Sequence, residues 1–463
     1  MTTTVVIIGR ANVGKSTLFN RLIGSRAALV ADQPGVTRDI QYGTAVYGDR
    51  TFTFLDTGGL LNYGDEDEDI SAFVSEQALR AAKEADAVFW LVDGRDGLTA
   101  ADEILARRLR TDCRNLYLVV NKTEGLDIHT ACAEFHALGV GDPYPVSARQ
   151  GSGVYDLMEG VAHDVPDNDS GIEETYAGLR ICFIGRPNAG KSTLINRIIG
   201  ENRMLTHATP GTTRDSVAVP FTRDGASYVL VDTAGVRRRS RVTVAVEKFS
   251  ILKTLEAIEG SQIVIVVIDA REEITEQDLN LTGMAVTAGK PLIITINKWD
   301  GLDADHKRRI KDQVDRRLKF ADYAVVLYIS ALHGTGVGNL FTAIDRTGKI
   351  LARRIKPSRL TEILHDAVAA HPPPLVHGRR IKLRYAHIGG ANPLRIVIHG
   401  NQTEQVPETY RRYLSGAIRN RLKLTGTPVL IEFRSGENPY KNRRNILTKR
   451  QLAKRRRLKK FRV

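Results

Sequence analysis

The chain has 463 residues, enough for about three domains, and its 42% hydrophobic and 26% charged content is ordinary for a globular protein. The formal net charge of +14 is unevenly spread. Residues 441–463 hold twelve Lys and Arg and no acidic residue, which leaves +2 on the other 440 residues. The three cysteines form no C-x-x-C pair, which argues against a zinc site or a disulfide framework.

The sequence predicts neither export nor membrane insertion. The longest apolar runs, such as Ile263–Ile268, are far shorter than the roughly 20 residues that span a bilayer. The N-terminal segment TTTVVIIG is strand-like and carries no basic region or cleavage site. An odd number of cysteines fits a reducing compartment. We therefore predict a cytoplasmic protein that makes no membrane contact.

An internal repeat dominates the sequence. GRANVGKSTLFNRLIG begins at Gly9, and GRPNAGKSTLINRIIG begins at Gly185, 176 residues later. The same offset separates PGVTRD from PGTTRD, DTGG from DTAG, Asp93 from Asp269, and two Asn-Lys pairs. A period of this length indicates a duplicated domain rather than a solenoid.

Each copy alternates short apolar runs with longer amphipathic stretches. The runs are VVIIG, FTFLD, VFWLVD and LYLVVN in the first copy and ICFIG, YVLVD, IVIVVID and LIITIN in the second. Runs that are apolar on both faces are typical of strands in a mostly parallel sheet covered by helices on both sides. We therefore predict an α/β fold with two doubly wound sheets. The repeated motifs follow these strands, where ligands of such sheets bind.

The repeat and its flanks divide the chain into five predicted segments. They are a first domain at 1–163, an acidic linker at 164–178, a second domain at 179–352, a small α+β domain at 353–440 and a basic tail at 441–463. The α+β prediction rests on the order helix, strand, strand, helix, strand over PSRLTEILHDAVAAH, RRIKLRYAHI, LRIVIHG, PETYRRYLSGAIRNRLKL and TPVLIEFRS. No clear G-x-x-G loop joins two helices there, so RNA contact through such a loop and protein contact with the preceding domains both stay open.

Each copy opens with G-x-x-x-x-G-K-S between a strand and a helix, the context of a phosphate-binding loop. Glycines let the backbone curl around phosphates, and the N–H groups at the helix start point at the anion. We expect Lys15 and Lys191 to reach the β- and γ-phosphates. This motif alone would also fit an ATPase.

A second motif predicts guanine as the base. Asn297-Lys298-Trp299-Asp300 matches N-K-x-D, whose aspartate accepts hydrogen bonds from guanine N1–H and its 2-amino group. Adenine would leave that carboxylate unpaired, at a cost of roughly 1–3 kcal/mol or more. The lysine stem is expected to pack over the base. Ser330-Ala331 and Ser147-Ala148 match the short S-A motif, whose N–H can meet guanine O6.

The first copy departs from the pattern at its base-reading motif, which reads Asn121-Lys122-Thr123-Glu124. Glutamate keeps the carboxylate but is one methylene longer than aspartate. Bidentate pairing with guanine then requires a shift of the loop. We expect guanine specificity with altered affinity at the first site.

The remaining motifs predict a magnesium-dependent switch. Gly59 and Gly235 close D-x-x-G and fit a backbone contact to the γ-phosphate, while Thr37 and Thr213 fit the switch I threonine. The candidate Mg²⁺ ligands are Ser16, Thr37, Asp56, Ser192, Thr213 and Asp232. Loops that hold the γ-phosphate collapse when it leaves, which makes a two-state switch.

The candidate nucleotide-binding residues of the first site are Gly9, Arg10, Ala11, Asn12, Val13, Gly14, Lys15, Ser16, Asp56, Thr57, Gly58, Gly59, Leu60, Asn121, Lys122, Thr123, Glu124, Ser147 and Ala148. Those of the second site are Gly185, Arg186, Pro187, Asn188, Ala189, Gly190, Lys191, Ser192, Asp232, Thr233, Ala234, Gly235, Val236, Asn297, Lys298, Trp299, Asp300, Ser330 and Ala331. The candidate catalytic residues are Asn12, Lys15, Thr37, Asn188, Lys191 and Thr213.

With these motifs assembled, nearly the whole chain resembles the Der (EngA) family of bacterial double-G-domain GTPases. The resemblance implies hydrolysis of GTP to GDP and phosphate at both sites with Mg²⁺, and a KH-like fold for the C-terminal domain. It also implies a monomeric protein that acts in large ribosomal subunit maturation through ribosomal RNA. The basic tail fits this role, because clustered Lys and Arg bind phosphate through counterion release.

Two other readings stay open. One is a GTPase partner of an RNA-modifying enzyme; some such relatives carry a catalytic cysteine near the C-terminus, whereas no cysteine follows Cys182 here. The other is a membrane-associated GTPase, although the tail lacks an apolar face with aromatic anchors. A membrane-associated GTPase would co-sediment with liposomes rather than with ribosomes.

The sequence also suggests K⁺ as a cofactor. Leu60 and Val236 follow the two D-x-x-G motifs, where Ras-type proteins place a glutamine that orients the attacking water. In related potassium-activated GTPases, an asparagine just before x-G-K-S helps hold a monovalent cation. Asn12 and Asn188 occupy that position. The alternative is an asparagine chosen for turn geometry.

Asp300→Asn is expected to shift the second site from GTP toward xanthosine triphosphate. The amide can donate to the xanthine 2-oxo group where the carboxylate accepted from the guanine 2-amino group. Competition binding of the two triphosphates measures the shift. Unchanged GTP affinity at this site would refute the base-reading assignment.

Overall fold

A computed structural model describes residues 3–27, 41–48, 50–57, 76–165, 178–201, 218–231, 251–376 and 379–435. Within these residues the chain forms two compact units. The larger contains both copies of the repeat, up to residue 353, together with 391–394 and 422–429. The smaller contains the described residues of 354–390, 395–421 and 430–435.

The first domain alternates strands and helices as predicted. Its strands are β1 (Thr3–Ile8), β2 (Gln41–Tyr47), β3 (Arg50–Asp56), β4 (Ala87–Asp93), β5 (Leu116–Asn121) and β6 (Tyr144–Pro145). Its helices are α1 (Lys15–Ala27), α2 (Glu76–Glu84), α3 (Ala100–Asp112), α4 (Ile128–Ala133) and α5 (Val154–Asp164).

The second domain repeats this order. Its strands are β7 (Leu179–Ile184), β8 (Val219–Arg223), β9 (Ala226–Val231), β10 (Ile263–Asp269), β11 (Leu292–Asn297) and β12 (Val325–Tyr328). Its helices are α6 (Lys191–Glu201), α7 (Ile251–Gly260), α8 (Glu276–Thr287), α9 (Ala304–Arg317) and α10 (Val337–Leu351).

The two sheets have the same topology, which confirms the predicted α/β class. Their strand orders are β2-β3-β1-β4-β5-β6 and β8-β9-β7-β10-β11-β12. Only the β2–β3 and β8–β9 pairs are antiparallel among the pairings described in these two sheets, and the others are parallel. Every residue of the central strands β4 and β10 is buried, because helices cover both faces of each sheet.

Apart from a short antiparallel pair of strands at 375–376 and 379–380, which was not predicted, the smaller unit has the predicted order of elements. It contains the helices α11 (Pro357–Ala370) and α12 (Glu408–Leu422) and the strands β13 (Leu375–Val376), β14 (Arg379–Arg380), β15 (Lys382–Ala391), β16 (Leu394–Asn401) and β17 (Leu430–Ser435). The last three form a sheet in the order β15-β16-β17, with β16 and β17 parallel. Pro357 starts α11, where its missing N–H breaks no helical hydrogen bond.

Among the helices of the described residues, none combines the length and hydropathy needed to cross a bilayer.

The first and second domains share a joint within the larger unit. α2 of the first domain contacts α7 of the second, and their apolar side chains belong to one buried cluster. Tyr42 on β2 donates a hydrogen bond from its hydroxyl to the backbone oxygen of Met284 in α8. Burial raises the pKa of Tyr42 well above its ordinary value, so the hydroxyl stays a donor at neutral pH.

Tyr42→Phe is expected to loosen this joint. Met284 O also accepts from the N–H of Ala288, so the substitution leaves it with a hydrogen-bond partner. The expected loss in the free energy of unfolding is therefore the net value of one hydrogen bond, about 0.5–1.5 kcal/mol. Calorimetry would show the unfolding transitions of the two domains moving apart. The matched control is Tyr47→Phe, which removes a 2.8 Å bond to Leu22 O inside the first domain and lowers only that domain's stability. Equal effects of both variants on the two transitions would contradict the joint.

Candidate functional site

The first phosphate loop has the backbone that its glycines predict. Gly9 and Gly14 have φ of +153° and +98°, which L side chains rarely adopt. A Cβ on Gly9 would clash with the backbone oxygen of Leu91, and one on Gly14 would clash with the side-chain amide of Asn121. The outer side of the loop therefore packs tightly against the ends of β4 and β5. The loop backbone continues directly into α1.

Lys15 at the start of α1 lies across this loop. Its Nζ donates to Gly9 O at 2.9 Å and to Arg10 O at 2.7 Å. Burial lowers the pKa of Lys15, and the charge of Asp56 partly opposes this. A phosphate in the loop would supply further negative charge and favour the ammonium form. The loop and its lysine thus fit an anion.

The second phosphate loop repeats this geometry. Gly185 and Gly190 have φ of +157° and +96°. Lys191 Nζ donates to Gly185 O at 2.9 Å and to Arg186 O at 2.7 Å, the same two distances as in the first domain. The repeat seen in the sequence is therefore a repeat of loop conformation and lysine position.

A buried asparagine at the end of β5 ties two loops together. Asn121 Nδ2 donates to Val13 O in the phosphate loop at 2.8 Å. Its Oδ1 accepts from the N–H of Ala148 in the S-A motif at 2.9 Å. Both ends of the carboxamide are thus engaged by protein, so the side chain positions the site rather than pointing into it.

Asn297 does the same at the end of β11. Its Nδ2 donates to Ala189 O at 2.9 Å, and its Oδ1 accepts from the N–H of Ala331 at 2.9 Å. It is 1% exposed, so no water can replace these bonds without opening the site. The phosphate end and the base end of the site are therefore held at a fixed spacing.

The lysines of the base-reading motifs are anchored by strand-end aspartates. Lys122 pairs with Asp93 at 2.5 Å, and Lys298 pairs with Asp269. Parallel register puts each aspartate directly opposite the asparagine of the neighbouring strand. Burial raises the pKa of Asp93, but hydrogen bonds from Lys122 and nearby backbone outweigh it, and the pKa is lowered overall. In the sequence, these two aspartates stood out only because they recur at the offset of the internal repeat.

Lys298 spans the second site. Its Nζ also donates to Asn188 O in the phosphate loop at 2.8 Å. Its φ of +62° turns the chain so that the stem runs back toward that loop. A base lying between the S-A motif and this loop would rest against the stem, as the sequence predicts.

The two predicted base-reading carboxylates have different side chains beside them. A hydrogen bond from the Ser330 side chain lowers the pKa of Asp300, and one from Ser147 lowers the pKa of Glu124. Glu124 additionally accepts from Arg95 at 3.1 Å, whereas Asp300 lies 3.0 Å from the imidazole of His333. The pKa of each carboxyl is lowered, so both stay ionised at neutral pH.

Several predicted nucleotide-binding residues direct their side chains elsewhere. Arg186 pairs with Asp278 at 2.9 Å and with Glu272 at 2.8 Å, and Arg10 makes the corresponding pairs with acidic residues around α3. Thr57 Oγ1 donates to the backbone of β1, and the Trp299 ring packs 4.3 Å from that of Tyr328. These side chains brace the loops.

Sequence reasoning missed one pair of bracing residues. Arg21 Nε donates to Ala148 O at 3.1 Å, and Arg197 Nε donates to Ala331 O at 2.8 Å. Each arginine reaches from the helix after the phosphate loop to the S-A motif. The signal was present as the repeated Asn-Arg pair in LFNRLIG and LINRIIG, but it carried no known chemistry.

Some predicted site residues lie outside the described part of the chain. They are Thr37, Gly58, Gly59, Leu60, Thr213, Asp232, Thr233, Ala234, Gly235 and Val236. The same holds for most of the predicted linker and for the basic tail. Their roles stay predictions.

Two phosphate loops at the strand ends of doubly wound sheets, each tied to an S-A loop by a buried asparagine, define a tandem P-loop nucleotide-binding protein. A family model described as "50S ribosome-binding GTPase" matches residues 4–122 and again 180–298. A second, described as "KH-domain-like of EngA bacterial GTPase enzymes, C-terminal", matches 354–434.

Curated relatives match over nearly their whole length. The chain is 54% identical to GTPase Der of Thioalkalivibrio sulfidiphilus, with 98% of each chain covered. It is 50% identical to GTPase Der of Idiomarina loihiensis, covering 99% of this chain and 98% of that one. It is 49% identical to GTPase Der of Pseudomonas putida, covering 99% and 97%. The chain therefore belongs to the Der (EngA) family of GTPases with two G domains.

Asn297→Ala is expected to cost the second domain about 1–3 kcal/mol, because it leaves the N–H of Ala331 buried and unpaired. Without the fixed loop spacing, nucleotide affinity at this site should fall about tenfold or more. Titration with a fluorescent GDP analogue measures the affinity, and thermal unfolding measures the stability. Asn121→Ala should act in the same way on the first site.

The matched control is Thr295→Val, which removes a buried 3.0 Å bond to Val266 O in the same domain without touching either loop. It should lower the melting temperature but leave nucleotide affinity unchanged. If it weakens nucleotide binding as much as Asn297→Ala does, the asparagine has no specific positioning role.

Proposed function

We propose that this GTPase is a two-site switch that acts in assembly of the large ribosomal subunit by binding ribosomal RNA. The observation that carries the switch is the duplication of the loop geometry: both lysines and both asparagines make the same bonds in the two domains. Both sites are proposed to bind GTP and to hydrolyse it to GDP and phosphate.

The described residues fit the proposed division of labour. Lys15 and Lys191 hold the β- and γ-phosphates, and the anchored carboxylate at the far end of each site reads guanine. Ser16 at the start of α1 and buried Asp56 at the end of β3 are hard oxygen donors beside the phosphate loop, which suits Mg²⁺. Mg²⁺ held there would offset negative charge on the phosphates.

Two features support ribosomal RNA as the partner. The family model that matches both G domains is described as a ribosome-binding GTPase. The tail at 441–463 carries twelve positive charges and no negative ones, so it suits a polyphosphate surface. We place the protein with ribosomes in the cytoplasm, as a monomer when free.

Sedimentation with large-subunit precursors under GTP, GDP and a non-hydrolysable analogue tests the proposal. We expect co-sedimentation that depends on the nucleotide. A chain ending at residue 440 should bind less tightly and with a smaller salt dependence, by roughly 0.7–0.9 in log–log slope for each phosphate that is no longer neutralised. If the full-length chain binds no ribosomal particle in any nucleotide state, the assembly role is refuted. Capture of an RNA-modifying enzyme instead would favour the alternative function, a GTPase partner of such an enzyme.

Potassium is the further cofactor that we propose for hydrolysis. Asn12 and Asn188 have φ of +64° and +63°, a left-handed backbone that asparagine tolerates better than most residues. Turn geometry by itself therefore accounts for an asparagine at these positions. The support for a cation is the missing glutamine after each D-x-x-G, together with side-chain amides exposed beside the phosphate loop.

Hydrolysis is expected to be faster in potassium than in sodium at equal ionic strength. A cation beside the phosphates offsets negative charge in the transition state, a role worth roughly 10³–10⁵ in rate when arginine fills it. The steady-state rate of the wild type and of Asn12→Ala with Asn188→Ala is measured in both salts. Equal wild-type rates, or full potassium activation in the double variant, would show that no such cation acts.

A further inference from the structure

Three aromatic rings lie nearly parallel on the sheet of the smaller unit. Tyr385 and His387 belong to β15, and His399 belongs to β16. The His399 ring is 4.4 Å from Tyr385 at an interplanar angle of 9°, and 5.2 Å from His387 at 22°. We call these three residues the ring stack.

The ring stack faces away from helix α12. Phe433 on β17 faces that helix, because Arg411 of α12 lies over its ring at 5.4 Å. Side chains alternate along a strand, so Glu432 and Arg434 point to the opposite face. Arg434 is in register with His399, so its side chain lies beside the ring stack on the face of the sheet opposite α12.

The ring stack differs from the aromatic pairs of the core in its exposure. Nearly parallel pairs also occur in the two cores, as in Phe52–Phe54 at 24° and Phe221–Tyr228 at 21°, but those rings are buried. Tyr385, by contrast, is 49% exposed and parallel to its neighbour. A parallel array that ends at an exposed ring offers a flat surface on which another planar ring can stack.

The charge around the ring stack suits a polyanion. Glu432 lies between Arg395 at 3.8 Å and Arg434 at 2.8 Å, so one carboxylate faces two guanidinium groups. Burial, then the neighbouring charges of His387 and Arg434, lower the pKa of His399. Its ring therefore stays neutral at pH 7 and stacks without adding a charge that must be desolvated.

We propose that the ring stack binds unpaired bases of single-stranded RNA while Arg434 contacts a neighbouring phosphate. Every base has a flat π-face, so such a surface binds many sequences and adds affinity that phosphate contacts alone do not give. This site lies on the sheet face rather than in a G-x-x-G loop, which the segment lacks. It rests on the proposed function, because it assigns part of the RNA contact to the smaller unit.

The test compares the full chain with variants on two labelled probes: a single-stranded RNA octamer and an abasic octamer with the same phosphates. Tyr385→Leu should weaken RNA binding about fivefold or more and leave abasic binding unchanged. Tyr385→Phe keeps the ring and should bind as the wild type does. Arg434→Gln should weaken both probes and reduce the salt slope by about 0.7.

Two controls separate the site from folding and from loss of any exposed tyrosine. Tyr155 on α5 is 72% exposed in the first G domain, and Tyr155→Leu should leave both probes unaffected. Thermal unfolding and GTP hydrolysis of Tyr385→Leu should match the wild type. If Tyr385→Leu unfolds at a lower temperature than the wild type, the RNA affinity of Tyr385→Phe is compared with that of His399→Gln, which also removes a ring from the stack. The ring stack then predicts weaker RNA binding for His399→Gln than for Tyr385→Phe.

The outcomes distinguish this proposal from the proposed function. Equal wild-type affinity for the two octamers, or unchanged RNA binding in Tyr385→Leu, overturns the ring stack while ribosome sedimentation still supports the assembly role. Reduced ribosome binding in Tyr385→Leu with unchanged octamer binding means that the surface contacts a protein, which also overturns it. Failure of the wild type to bind either RNA or ribosomes refutes both.

Discussion

One buried carboxamide fixes the distance between the two loops of each nucleotide site, because it donates one hydrogen bond and accepts another. Asn121 and Asn297 stand where a parallel strand ends, and each joins the phosphate loop to the S-A loop. The other features of the site depend on this spacing: the glycine that packs against the carboxamide, and the arginine that holds the S-A loop from the neighbouring helix. Apolar packing has no preferred direction, whereas hydrogen bonds do. A buried polar group at the end of a strand therefore holds the two loops more rigidly than apolar packing would.

The duplicated sites are alike in bonding and unlike in charge. Glu124 takes the place of the aspartate found at position 300, and the pKa of both carboxyls is lowered. Glu124 lies beside the guanidinium of Arg95, whereas Asp300 lies beside the imidazole of His333. The two sites therefore differ in the side chain that lies against the predicted base-reading carboxylate.

The sequence was sufficient for the fold class and the order of elements because both depend on local pattern. Apolar runs on two-sided strands, and glycines at positive φ, leave a direct trace in the residues. The residues that set the geometry of the site are harder to predict, because their hydrogen-bond partners are distant in sequence. Arg21 and Ala148, for example, come together only when the sheet has formed. The same reason hid the joint at Tyr42, since its acceptor is the backbone of Met284, and any residue there would supply the same oxygen.

That joint bears on how a duplicated gene can change over time. After duplication, two copies of a domain are free to separate, shuffle or disappear as long as each is a complete folding unit. Here α2 and α7 cover each other's apolar faces, and a tyrosine of one copy is satisfied by the backbone of the other. Loss of either copy would expose apolar surface on the survivor, so selection for solubility alone keeps the pair together.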